Sequence, residues 1–295
     1  MSKGVFEYGR MQKTTLYPTD LTDEQWNLLQ LALPPRKTRK SRGRPPADLR
    51  RICSALLYFV RSGCAWRLLP RDFGPWKTIY HYFWLWTKQG CWKIIHDLLR
   101  EAVRKAAGKR SQPTAAILDS QTVRSADQAG ERGYDAAKKT KGIKRHILVD
   151  TLGLLLAVVV TAANFDDGTH AALVLAKLKG EQYPRLKKIF ADNKYNNKTL
   201  QQWMADNQVP YTIEIGMKPD GESGFKPVKI RWVVEQSHAC VGRCRRLSKD
   251  YERLTSSSET WIQLSAIQRM LRRSRPDLNQ PQAAFKYPKR SGKVA

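Results

Sequence analysis

The chain is expected to be an α/β protein in which a mixed sheet flanked by helices follows an all-helical region. Three observations lead there. From Leu21 to Ala107 the apolar residues recur at helical spacing. Beyond Pro113 the pattern changes to short apolar runs. Those runs then alternate with helical stretches in the order strand, strand, strand, helix, strand, helix, strand, helix, which suits an antiparallel hairpin leading into parallel strands. At 295 residues the chain is long enough for a domain of ordinary size plus a smaller one. The expected division is a helical domain with a basic arm at 1–107, a linker at 108–113, an α/β domain at 114–273 and a basic tail at 274–295.

In the helical part, LTDEQWNLLQLAL places Thr22 and Gln25 in capping-box spacing and then Trp26, Leu29 and Leu33 on one face. The segment from Pro34 to Arg51 follows, with eight basic residues, Arg42 and Arg44 among them, against the single Asp48. Its prolines and glycine oppose regular structure, so it reads as an exposed basic arm. A second helix runs from Asp48 to Arg61 and stops at Ser62 and Gly63. A turn rich in Trp, Pro and Gly leads to Pro75, which starts a third helix, WKTIYHYFWLWTKQG. Two helices around such a connection suggest a helix-turn-helix arrangement. Most of the aromatic residues in the third helix are core; Lys77, Thr78 and His81 are the groups that could reach DNA. A fourth helix spans Trp92 to Ala107.

In the α/β part, TAAILDSQTV is a short apolar run read as a first strand that ends in Asp119. KRHILVDTLGLLLAVVVTAA reads as two strands joined by a turn from Asp150 to Gly153. A helix from about Gly168 to Leu178 is followed by the strand KKIFADNKY, whose apolar part ends at Asp192. A helix near Leu200 to Asn207, the strand PYTIEI and a helix from Ile230 to Glu252 complete the order. In that last helix Val233, Val234, Ser237, Cys240, Val241, Cys244, Leu247 and Tyr251 share one side. Arg231, Glu235, His238, Gly242, Arg246 and Lys249 share the other.

Charge narrows the function. Fifty-three Lys and Arg against 26 Asp and Glu leave a net +27, which points to a polyanionic partner, most commonly a phosphate backbone. A membrane role is not expected, because no apolar run reaches the 18 or so residues of a spanning helix, and the N-terminus lacks a signal-peptide core. The five cysteines are odd in number and sit mostly in apolar helical patterns, which favours reduced thiols in a cytosol.

The acidic residues are then the informative ones. An isolated Asp at a strand end is usually a turn or cap residue, and Glu235 by itself fits a surface ion pair with Arg231 worth a few tenths of a kcal/mol. Together, Asp119 and Asp192 on neighbouring strands and Glu235 on a helix packed over the sheet are positioned to converge on a pair of Mg²⁺ ions about 3.5–4 Å apart, an arrangement suited to phosphodiester chemistry.

The motifs ILDSQTVRSA, GIKRHILVDTLGLLLAVVV, FADNKY and RWVVEQSHACVGRCRRLSKDYE, in this order and spacing, resemble the DDE transposases of bacterial insertion sequences, specifically the insertion-sequence-five family. LTDEQWNLLQLALPP and SGCAWRLLPRDFGPWKTIYHYFWLW resemble that family's N-terminal DNA-binding region. The resemblance covers about Leu21 to Arg273. It implies an RNase H-like catalytic domain, two Mg²⁺ or Mn²⁺ ions, an Asp119, Asp192, Glu235 triad serving as catalytic residues and metal ligands, and cutting and joining of double-stranded DNA at terminal inverted repeats. It also implies a homodimer or higher oligomer on DNA, in the bacterial cytoplasm at the nucleoid. Arg231 matches the arginine expected one turn before the glutamate; a basic residue expected about two turns after it falls at Gly242, with Arg243 adjacent. The chain departs from the family at Lys194, Gln236, His238 and Cys240. The alternative is therefore a degenerate transposase that only binds DNA.

Three further readings complete the expectations. His238, Cys240 and Cys244 do not make a zinc site, because they fall on different sides of the helix with no fourth ligand nearby. Lys138, Lys139, Lys141, Lys144 and Arg145 are read as a glycine-flanked loop, either solvated or tracking a DNA backbone. Lys194 points either to the carboxylates or to a DNA phosphate. Arg243, Arg246 and Lys249 join the candidate DNA contacts, and the tail from Arg272, with seven basic residues and one acidic, is expected to order on DNA.

Overall fold

Thr22 opens α1 (Asp23–Gln30) with the anticipated capping box: its hydroxyl accepts from the Gln25 N–H while the Gln25 side chain accepts from the Thr22 N–H. The structure is a computed structural model that describes residues 16–34, 47–178, 183–216 and 232–273. The Asp48 carboxylate caps α2 (Leu49–Ser62), which ends at Gly63 with a left-handed φ of 68°. Such a φ favours glycine, and a Cβ there would stand 3.0 Å from Arg245. Two 3₁₀ turns, Trp66–Leu68 and Arg71–Phe73, lead to Pro75 and α3 (Trp76–Lys88); α4 (Cys91–Ala106) follows.

The sheet is built from β1 (Ala115–Arg124), a short β2 (Gly133–Asp135), β3 (Thr140–Asp150), β4 (Leu155–Ala162), β5 (Lys188–Ala191) and β6 (Thr212–Ile215). β3 is central to its antiparallel half, with β1 on one edge and β4 on the other, while β2 meets its first residues. β5 and β6 extend the other edge of β1 in parallel. The hairpin into parallel strands is thus as expected, and the β3–β4 turn closes at Gly153 (φ 70°), whose N–H donates to Asp150 O at 2.9 Å. After β4 come α5 (Asp167–Ala176), α6 (Lys198–Asp206) between β5 and β6, then α7 (Trp232–Gly242) and α8 (Thr255–Arg273).

Each sheet face has its own core. Leu118, Leu148, Val159, Ile189 and Ala191 pack under α5 and α6. Ile117, Ile147, Val149, Val158 and Val160 pack with Val233 and Val234 of α7, with α8, and with the N-terminal helices. α8, a helix not expected from the sequence, joins the two parts. Its Trp261 ring lies 5.0 Å from Phe59 of α2 and 4.3 Å from Phe83 of α3, centroid to centroid. Gln25 Nε2 donates to Leu271 O at 3.0 Å, and Gln268 Nε2 to Leu57 O at 3.3 Å. Arg104 of α4 pairs with the fully buried Asp150 at the β3–β4 turn. One apolar cluster therefore runs from the helical part into the sheet.

The helix expected from Ile230 to Glu252 is shorter. α7 ends at Gly242, and a 3₁₀ turn at Arg245–Leu247 takes the chain away. Arg246 and Lys249 consequently do not share a helical face with Glu235, and Tyr251 is exposed rather than buried.

Candidate active site

Asp119 is not at the end of its strand. β1 continues to Arg124, paired throughout with β3; what ends near Asp119 is the pairing with β5, whose last matched pair is Ile117 with Phe190. Two residues further along stand Asp119, still on β1, and Asp192, just past the end of β5 where it leaves the sheet. Strand alternation keeps each on the face of the residue two before it. Ile117 and Phe190 both belong to the α7 side of the sheet, so both carboxylates face α7. Asp192 also caps the short turn Asn193–Tyr195, accepting from the Asn193 N–H at 2.8 Å.

α7 crosses β1 at this point. The His238 ring is buried, with its Nε2 3.6 Å from Asp119 Oδ2 and its side chain 7% exposed. Burial, reinforced by Arg145, pulls its pKa down to about 4, so the ring is neutral. The sequence reading had His238 on the polar side; α7 packs on the sheet with that side as well. Glu235 lies one turn earlier on the helix and is exposed.

A second polar group sits on the opposite face. Asp167, in the first turn of α5, is buried and holds Lys144 Nζ at 2.9 Å and Lys194 Nζ at 3.4 Å. Its pKa is lowered: the cations Lys144 and Lys194 and a Ser120 hydrogen bond outweigh the desolvation that opposes them. Tyr195 is buried in the core under α5 and α6, its pKa raised by desolvation and by the charges of Asp119, Asp167 and Asp192. Sequence reasoning missed Asp167, Ser120 and Tyr195. The signal for Asp167 was the pair Asp166–Asp167 at a helix start, where Asp166 alone serves as the cap.

The basic candidates divide. Lys77 and His81 are exposed and Thr78 half-buried on the open side of α3; Lys139, Lys141, Arg243 and Lys249 are exposed too. Lys144 and Arg145 are not in a loop: both are buried on β3. Lys144 is committed to Asp167 and Asp135, at 2.9 and 3.8 Å. Arg145, beside Asp250, has its pKa lowered to about 10 by burial. Arg246 pairs with Glu252 and lies over Phe59, Tyr251 and Trp261, 4.9, 5.2 and 5.8 Å from their ring centres. These three cations are engaged by acidic or aromatic groups inside the protein. Arg42, Arg44, Arg231, the arm before Ala47 and the tail after Arg273 lie outside the described residues.

Residues 110–270 match the family model described as "Transposase DDE domain", and residues 21–96 match the one described as "Putative transposase of IS4/5 family". The chain belongs to the DDE transposase family. A relative named "Putative transposase for insertion sequence element IS402", from Burkholderia cepacia, is 29% identical over 185 residues, covering 58% of this chain and 84% of that protein. An "Insertion element IS402 uncharacterized 16.2 kDa protein" from the same organism is 31% identical over 108 residues, 35% of this chain and 72% of its own. The "Uncharacterized protein y4sN" of Sinorhizobium fredii is 30% identical over 86 residues, 29% of this chain and 65% of its own. The mixed sheet with its flanking helices is the RNase H-like arrangement expected of a DDE transposase.

Membership implies use of a divalent metal. The donor chemistry of Asp119, Asp192 and Glu235 fits a hard cation, since all three offer carboxylate oxygens. Among the described residues no three His, Cys, Asp or Glu side chains are gathered closely enough to hold an ion, so these carboxylates are not drawn into one coordination sphere. No helix of the described residues is long and apolar enough to cross a membrane.

Proposed function

We propose that this DDE transposase binds the terminal inverted repeats of its insertion sequence as a dimer or higher oligomer, within the bacterial cytoplasm, and there cuts and transfers DNA strands. Asp119, Asp192 and Glu235 would hold two Mg²⁺ or Mn²⁺ ions. What supports this reading is Asp119 and Asp192 standing where β5 leaves β1, with α7, the helix that carries Glu235, packed across the same face.

When bound, the ions supply an activated water or hydroxyl and neutralise charge at the reacting phosphate. The protein's part is positional. Backbone pairing on both edges of β1 up to Ile117 fixes Asp119, and the cap at Asn193 fixes Asp192. The exposed Lys77, His81, Lys139, Lys141, Arg243 and Lys249 would meet phosphates. Water cleaves a phosphodiester at the element's end and leaves a 3′-hydroxyl. That hydroxyl then attacks target DNA in line, forming one phosphodiester as another breaks, with no covalent enzyme intermediate.

The test is cleavage of a duplex carrying the element's own end, with Mg²⁺ present. Asp119→Ala, Asp192→Ala and Glu235→Ala should each abolish cutting while end binding persists. Near wild-type cutting in one variant removes that residue from the triad. Binding without cutting by the unaltered chain would leave a transposase that only holds its ends.

A further inference from the structure

We propose that His238 is a nitrogen ligand at this metal site, and that it makes the site prefer Mn²⁺ to Mg²⁺. The inference rests on Asp119 being a metal ligand, as proposed above. Of the five histidines in the chain, His81 is exposed on α3, His96 lies against Asp97 and His146 bonds Thr161. His170 sits in the first turns of α5, against the Asp166 carbonyl. His238 is the one whose ring nitrogen faces Asp119.

Geometry argues for a ligand rather than a packed ring. Nε2 of His238 is buried and has no hydrogen-bond partner among the described residues. Its 3.6 Å separation from Asp119 Oδ2 is beyond hydrogen-bond range. A buried polar atom left this way is costly and calls for an explanation. Two ligands each about 2.1 Å from a shared ion stand roughly 3.0 Å apart at a right angle and roughly 3.4 Å apart at a tetrahedral angle. The observed gap therefore needs a closure of only a few tenths of an ångström to accept an ion.

Ligand chemistry then sets the choice of ion. Mg²⁺ keeps oxygen ligands and dehydrates reluctantly, whereas first-row divalent ions accept imidazole, and Mn²⁺ accepts carboxylate as well. A site of three carboxylates alone has little means of telling the two apart. One with an added imidazole beside Asp119 does.

Electron paramagnetic resonance of the full-length chain loaded with Mn²⁺ tests this without any turnover. The unaltered protein should show ¹⁴N coupling to the bound Mn²⁺, and His238→Phe should abolish it. The same substitution should weaken Mn²⁺ binding about tenfold and leave Mg²⁺ binding, read by competition, within twofold. If the phenylalanine variant fails to fold by circular dichroism, His238→Leu serves in its place. Absence of ¹⁴N coupling in the unaltered chain overturns the proposal, as does coupling that persists in the folded variant. An equal loss of Mn²⁺ and Mg²⁺ affinity also overturns it, since that would mean His238 only positions Asp119. Asp119→Asn separates the two readings. If it leaves Mn²⁺ binding unchanged, the metal role of Asp119 falls and this inference with it. If it abolishes Mn²⁺ binding while the unaltered chain shows no nitrogen coupling, only the role of His238 falls.

Discussion

Arg246→Ala should cost stability and leave DNA affinity almost untouched. The Arg246 side chain is 11% exposed and its partner Glu252 14%, so removing the guanidinium strands a buried carboxylate. Breaking such a pair costs about 3–5 kcal/mol. Losing the contacts with Phe59, Tyr251 and Trp261 adds about 0.5–1 kcal/mol for each ring. Glu252, whose pKa burial already raises, relieves part of this by taking up a proton, which leaves a net loss of about 4 kcal/mol. Urea unfolding followed by circular dichroism measures it, and the double change Arg246→Met with Glu252→Gln should recover about half, since neither charge then remains buried. DNA binding measured across a salt series should keep its slope. The reasoning fails if the single variant loses under about 1 kcal/mol while that slope falls by about 0.9, the signature of one lost phosphate contact.

Acid should destabilise the fold through its buried histidines. His146 and His238 have pKa values lowered from 6.5 to about 4 by burial, so the unfolded chain binds more protons between those values and stability is lost as pH falls through that window. The loss should be about 2 kcal/mol per histidine at pH 5, and an unfolding free energy that stays flat from pH 7 to 5 would contradict it. Trp261→Ala should cost about 3–5 kcal/mol and speed hydrogen exchange in α2 and β4 together; an effect confined to one side would mean that the core is not shared. Lys194→Ala should lower stability by less than about 1 kcal/mol, because Lys144 still holds Asp167, and should leave the divalent-ion requirement for cleavage unchanged. A lower requirement would show that the ammonium competes with metal at Asp119 and Asp192 after all.

Much of this architecture is legible in the sequence because its signals are local. Thr22 and Gln25 reveal a cap, Gly63 a stop, Asp150 to Gly153 a hairpin turn and Asp192 the end of a strand. What escapes is set by partners distant in the chain. α8 has no single apolar stripe to detect, since Ser258, Thr260, Ser265 and Gln268 are buried along with Trp261, Ile262, Ile267 and Met270. Lys144 and Arg145 look like part of a solvated charge run because Asp167 and Asp250, which face them, arrive from other elements. The apolar spacing after Glu235 continues into the 3₁₀ turn, so it hides the break at Gly242. At the site, Asp119 and Asp192 are readable from their strands. The contact between His238 and Asp119 is not, because it depends on how α7 lies across β1.

Burial also changes what the net charge of +27 means. Arg100 near Asp97, Arg104 with Asp150, Lys144 with Asp167 and Arg246 with Glu252 each engage an acid inside the protein. Interior cations are thereby neutralised by part of the small acidic complement, and the exposed Lys77, Lys139, Lys141, Arg243 and Lys249 face solvent with correspondingly little opposing charge. On the proposed function, counterion release on DNA would be governed by those outer groups. Each exposed lysine or arginine that meets a phosphate should contribute about 0.9 to the slope of log affinity against log salt. Neutralising Lys139 and Lys141 together should therefore reduce the slope by up to about 1.8 with little change in stability, whereas neutralising Lys144, three residues beyond Lys141 on β3, should do the reverse. Equal effects of the two changes on the slope would mean that Lys144 leaves Asp167 when DNA binds.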